Sequence, residues 1–112
     1  MYLFVEAWTP KPAWLALSRE EREGYVSQVA SGMSQLQAAG VQVVGWGFSD
    51  DAARGTDHVA FAVRQCPTRQ AANELRQAVE HARWYEYFEQ LDLGGEVESP
   101  EVVLEHHVNL GS

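Results

Sequence analysis

The chain has 112 residues, 46% of them hydrophobic and 11% aromatic, enough to bury one core and too few for two, so residues 1–112 read as a single domain. Sixteen acidic against eight basic residues give a net charge of −8, which sets the average field against nucleic-acid phosphates and anionic lipid surfaces. A lone cysteine, Cys66, excludes an internal disulfide and a four-thiolate metal site and suits a reducing cytoplasm.

The N-terminal MYLFVEAW lacks a basic leader region and turns acidic at Glu6, so it does not read as a signal peptide. Tyr2 to Trp8 alternates under β-favouring residues and stops at Thr9-Pro10-Lys11-Pro12, where two prolines forbid further pairing: a first strand. After the apolar connector AWLAL, the segment SREE starts a helix. Ser18 can cap the first amides and Glu21 can reach back to the Ser18 amide. Val26, Val29, Met33 and Leu36 continue with helical spacing, and Gly40 stands where a C-terminal cap needs positive φ, so the first helix runs from about residue 18 to 39.

Residues 41 to 48, VQVVGWGF, form a second strand weakened by Gly45 and Gly47, and SDDAARGTD is a loop. A third strand covers residues 58 to 65. Pro67-Thr68 ends it and caps a second helix, with Ala72, Leu75, Val79 and Ala82 inward and the cluster WYEYF, Trp84 to Phe88, extending it toward Leu91 before Gly94-Gly95. Val102 to Leu110 alternates as a fourth strand.

The order strand, helix, strand, strand, helix, strand predicts an α+β fold: a ferredoxin-like βαββαβ domain, with a four-stranded antiparallel sheet in the order 4-1-3-2 and both helices on one face. The length, this topology and the segments FVEAWTPKPAWLALS, GVQVVGWG and RWYEYFEQ resemble small bacterial proteins of the dimeric α+β barrel superfamily, and within it a family of unestablished function. The resemblance covers nearly the whole chain. It implies a homodimer in which two sheets pack against each other. It brings in a superfamily of cofactor-independent monooxygenases, muconolactone-type isomerases, haem-degrading enzymes and stress-response proteins, and one fold hosting so many activities does not fix the chemistry.

Strand parity divides the sheet residues into two sets. Leu3, Val5, Ala7, Val41, Val43, Gly45, Val59, Phe61, Val63, Val102, Leu104, His106 and Val108 are small and nearly all apolar, and are expected to face the helices. Tyr2, Phe4, Glu6, Trp8, Gln42, Val44, Trp46, Phe48, His58, Ala60, Ala62, Arg64, Val103, Glu105, His107 and Asn109 are bulky and dotted with polar groups, and are expected to meet a partner subunit. A bulge at Gly45 or Gly47 would instead send Trp46 to the helix side. On this parity His106 and His107 point to opposite sides of the sheet, His106 buried against a backbone group.

Strand direction gathers Glu6, Trp8, Trp46, Phe48 and His58 at one end of the bulky face, and Tyr2, Arg64, His107 and Asn109 at the other. A carboxylate among aromatic rings should hold its proton more tightly, and a nearby imidazole could relay it, as general acid/base work on a small aromatic or enol substrate requires. The candidate catalytic residues are therefore Glu6, His58 and Tyr85, the last for its hydroxyl, and the candidate ligand walls are Trp8, Trp46, Phe48 and Trp84. The alternative for Glu6 is pairing with Arg64 or a backbone amide across the interface.

No GxGxxG, Walker loop, GxSxG or HExxH sequence occurs, and no metal or cofactor is expected. The reading is of a cytoplasmic homodimer binding a small hydrophobic or aromatic molecule, acting on it as a cofactor-independent oxygenase or isomerase would. The alternative is a non-catalytic binding or stress-response module whose aromatic face serves only dimerisation. A third reading is haem ligation by His58, His106 or His107.

Overall fold

β1, Tyr2–Pro10, alternates half-buried and buried residues along most of its length, as a strand with two different faces must. In the computed structural model, which describes residues 1–111, β1 lies inside an antiparallel sheet between β3, Ala60–Cys66, and β4, Phe88–Glu96. β2, Gln42–Phe48, pairs with the far side of β3. The order β2-β3-β1-β4 is the expected 4-1-3-2 read from the opposite edge.

Local signals set most helix ends. α1, Pro12–Leu15, is one turn opened by proline. α2, Arg19–Ala38, starts on the anticipated capping box: the Glu21 amide donates to Ser18 Oγ at 3.1 Å and the Ser18 amide to Glu21 Oε1 at 2.9 Å. Gly40, at φ +102°, turns the chain out of α2, a conformation that disfavours any side chain. α3, Arg69–His81, is capped by Thr68, whose hydroxyl accepts from the Ala71 amide at 3.0 Å.

The last third of the chain corrects the expectation. The second helix does not run through WYEYF toward Leu91. Arg83 adopts φ 62°, which breaks the helix after Ala82; α4, Trp84–Tyr87, is a single turn, and the chain enters β4 at Phe88. The fourth strand is therefore Phe88–Glu96, and the segment expected to be that strand is a helix, α5, Pro100–Val108. Its cap is local: Ser99 Oγ accepts from the Val102 amide at 3.2 Å, and Pro100 opens the first turn. His106 and His107 thus sit side by side on an exposed helix, ring centroids 5.9 Å apart, rather than on opposite sides of a sheet.

The two faces of the sheet are also reversed. Phe4, Glu6, Trp8, Ala62, Arg64 and Cys66 are the buried residues of β1 and β3, and α2 and α3 lie over them. One core cluster joins Phe4 and Cys66 to Val41, Ala72 and Leu75; a second joins Trp8, Ala62 and Phe88 to Trp14, Tyr25, Trp84 and Tyr87. The flat set, Leu3, Val5, Ala7, Phe61, Val63, Leu91 and Leu93, forms an open face. Bulky side chains fill the deep space under loosely seated helices, whereas short ones leave a surface another sheet can approach to about 10 Å.

The bulge falls between Val43 and Gly45 and changes the faces of Gln42 and Val43. Trp46, opposite Ala62, stays on the Glu6 face, which is the helix side. Among the described residues, no helix is long and apolar enough to cross a membrane.

Candidate functional site

Glu6 stands opposite Ala62, and Phe4 opposite Arg64, so Glu6 and Arg64 are diagonal neighbours on one sheet face, within reach of two long side chains. Glu6 is 3% exposed and Arg64 6%, and Arg64 Nη1 forms an ion pair with Glu6 Oε1. The other carboxylate oxygen, Oε2, accepts from Gln90 Nε2 at 2.8 Å. The same amide nitrogen donates to Asp92 Oδ1 at 2.7 Å, and Gln90 Oε1 accepts from Trp84 Nε1 at 2.6 Å. An indole N–H can only donate, so Trp84 fixes which end of the Gln90 amide is oxygen and which end faces Glu6.

Electrostatically, the site holds opposite charges rather than an isolated acid. The Arg64 guanidinium and the Gln90 amide both lie against the Glu6 carboxylate, which is therefore not surrounded by aromatic rings alone. Burial pulls Arg64 below its ordinary value, with Cys66 acting in the opposite direction. Guanidinium titrates so far above neutrality that Arg64 is cationic at physiological pH.

Three indoles stand around this floor. Trp8 meets Trp46 edge-on at 5.2 Å and Trp84 at 5.6 Å, and Trp84 stacks on Phe88 at 4.0 Å. The Arg64 guanidinium carbon lies 5.3 Å from the Trp46 ring centre, the geometry of a cation–π contact. Val29, Gly32, Met33 and Leu36 of α2 and Leu75, Ala78 and Val79 of α3 form the roof. Between floor and roof is a partly open, mainly apolar cavity of about 90 Å³. A single water needs only about 10–15 Å³, so the space admits a small organic molecule.

Of the anticipated site residues, Glu6, Trp8, Trp46 and Trp84 line this cavity together. The others do not join them. Phe48 is 87% exposed at the end of β2. His58 Nδ1 lies 3.0 Å from Thr9 Oγ1, and Thr9 alternates with Trp8 onto the opposite sheet face. Tyr85 directs its hydroxyl to Asp92 Oδ2 at 3.4 Å, where burial first and Asp92 second raise its pKa. Arg64 and Gln90 enter the site from outside the anticipated set. Parity placed Arg64 on the right face but at the far end, with His107 and Asn109, which lie in and just after α5. Gln90 was hidden because its segment was read as helix.

The sequence profile of a family of unknown function, DUF6616, matches residues 1–110. The chain belongs to that family. No curated protein matches it. Among solved structures it is similar to a mutant chlorite dismutase from Candidatus Nitrospira defluvii, with a TM-score of 0.70 and 16% identity over 94% of this chain and 44% of that one. It is also similar to the Arabidopsis thaliana protein At3g17210, with a TM-score of 0.55 and 11% identity over 88% and 97% of the two chains. A third is the 5-chloro-2-hydroxyhydroquinone dehydrochlorinase TftG from Burkholderia phenoliruptrix AC1100, solved with 2,5-dihydroxybenzoquinone: TM-score 0.50, 13% identity, 91% and 98% coverage. The chain spans less than half the length of the chlorite dismutase chain. At these identities the likeness is one of fold alone.

Proposed function

We propose that this family member is a homodimer, of the reducing cytoplasm that its lone buried cysteine suits, and that it binds a small aromatic or hydrophobic molecule beneath α2 and α3. Glu6 serves there as acid/base group, as in a cofactor-independent oxygenase or isomerase. One observation carries the reading: a buried Glu6–Arg64 ion pair, its carboxylate also accepting from Gln90, forms the floor of a cavity walled by Trp8, Trp46 and Trp84. Buried ion pairs gain little stability over apolar packing, so a pair facing a cavity calls for a functional account. The carboxylate supplies a base, and the adjacent cation offsets negative charge developing on a substrate oxygen.

The open face supports the dimer. Leu3, Val5, Ala7, Phe61, Val63, Leu91 and Leu93 lie on one uncovered side of the sheet, with Leu91 46% and Leu93 66% exposed. An apolar face of that kind needs a partner, and a second copy offers the same flat surface. A module using its aromatic face for dimerisation alone does not fit, because α2 and α3 cover that face. Haem ligation by His58, His106 or His107 does not fit either: His58 is turned to Thr9, and the other two sit on α5, outside the cavity.

A thermal-shift screen of single-ring phenols, cyclic enols and aromatic hydrocarbons tests the reading, with turnover of each hit followed under oxygen. Hits should quench tryptophan fluorescence, and Glu6→Gln should abolish turnover while ring binding persists. A Glu6→Gln protein that turns over every hit as the wild type does would falsify the acid/base assignment.

A further inference from the structure

We infer that the cavity selects rings carrying a hydroxyl, as phenols or enols do, and that Arg64 and Glu6 together read that hydroxyl; the inference rests on the cavity being a ligand site. A guanidinium offers five N–H donors in a rigid fork. Arg64 gives one nitrogen to Glu6 and lays its face on Trp46, and among the described residues no other group accepts from it. The residue is 6% exposed and lines the cavity. Nη1 is the fully buried nitrogen, turned to Glu6; Nε and Nη2 keep a path to the partly open cavity, where a ligand acceptor can meet them.

Glu6 narrows the choice. Its Oε2 already holds Gln90, and a carboxylate oxygen has a second lone pair for one more donor. A ligand atom at the junction must therefore accept from Arg64 and donate to Glu6. A hydroxyl oxygen does both. An ether or ketone only accepts, and an ammonium only donates while meeting the Arg64 charge. A ligand carboxylate would satisfy Arg64 but bring a third negative group to a site where Gln90 already bridges Glu6 and Asp92. The remaining walls, Trp8, Trp46 and Trp84 under Val29, Met33 and Leu36, suit an apolar ring.

The probes are phenol, anisole, toluene and benzoate, titrated into the isotope-labelled protein while the tryptophan indole N–H resonances are followed by NMR. Phenol is expected to bind about ten-fold or more tighter than toluene, the factor a hydrogen bond to a charged group supplies, with anisole between them and benzoate weaker than phenol. In Glu6→Gln/Arg64→Met, which removes both charges so that neither is left buried alone, toluene should still bind and the preference for phenol should vanish. If no ring compound shifts the indole signals, the cavity reading and this inference fall together. If toluene matches phenol, if benzoate binds best, or if the double variant keeps the preference, this inference falls alone and the cavity reading stands.

Discussion

Arg64 meets Glu6 diagonally across the β1–β3 ladder, on the side of the sheet that the helices cover. Among the described residues neither charge has another counter-ion lining the cavity, so removing one strands the other. Arg64→Met and Glu6→Gln are each expected to destabilise the fold, Arg64→Met by about 3–5 kcal/mol and Glu6→Gln toward the lower end, since an amide can still accept from Arg64. The double variant should recover most of the loss. Urea unfolding of the four proteins checks this as a double-mutant cycle, and strictly additive single effects would show that the pair is not coupled.

Tyr25 ties α2 to the end of α3. Its hydroxyl donates to the Ala82 carbonyl at 2.7 Å, and burial, with Tyr87 and Glu86 adding to it, pushes its pKa up from 10.0 to about 12. Because the folded value lies above the unfolded one, the unfolded chain releases this proton first. The contribution is whole below about pH 10 and is lost as pH rises from about 10 to about 12. Unfolding measured across that window should show stability falling with pH in the wild type and a shallower fall in Tyr25→Phe. Equal slopes would mean that Tyr25 titrates freely.

Features fixed by a few neighbouring residues were legible in the sequence: the Ser18-Glu21 box, Gly40 and Thr68; the strand order was legible from the succession of elements, although its fourth strand is Phe88–Glu96 rather than the expected segment. Parity likewise put Glu6, Trp8 and Trp46 on one face. It could not say which face the helices cover, because alternation separates two sets of side chains without ordering them in depth. The break at Arg83 carries no glycine to announce a left-handed residue, so β4 was absorbed into a helix and Gln90 was lost from the site. The alternating valines and histidines of VVLEHHV outweighed a helix start that Ser99-Pro100-Glu101 spelled out.

Gly47 faces Phe61 across β2 and β3, and a Cβ placed there would come within 2.8 Å of the ring's Cζ. The aromatic ring covers the glycine, and the open face keeps its flat profile at that point. Gly47→Ala is expected to cost about 1–3 kcal/mol, as overpacking does. In a Phe61→Leu background the same change should be close to neutral, because the clashing atoms are gone. Thermal unfolding of the three variants decides it; an equal penalty in both backgrounds would place the cost in the backbone of β2 instead.

Leu93 sits in one row with Val5 and Val63, the middle of the uncovered face and the reverse side of the sheet from the cavity. If two copies join there, a two-fold axis counts every substitution twice. Burying a leucine contributes about 1.5–3 kcal/mol, so losing it from both copies weakens association by about a hundred-fold or more. Introducing a charge adds repulsion between two acidic chains of net charge −8. Leu93→Glu is therefore expected to sediment as a monomer at concentrations where the wild type is a dimer, and its melting temperature should lose any dependence on concentration. Phenol should still perturb the indole resonances, since the cavity opens on the other face of the same sheet. A Leu93→Glu protein that stays dimeric would move the interface elsewhere, whereas a monomer that no longer binds would show that the cavity depends on the partner for its shape.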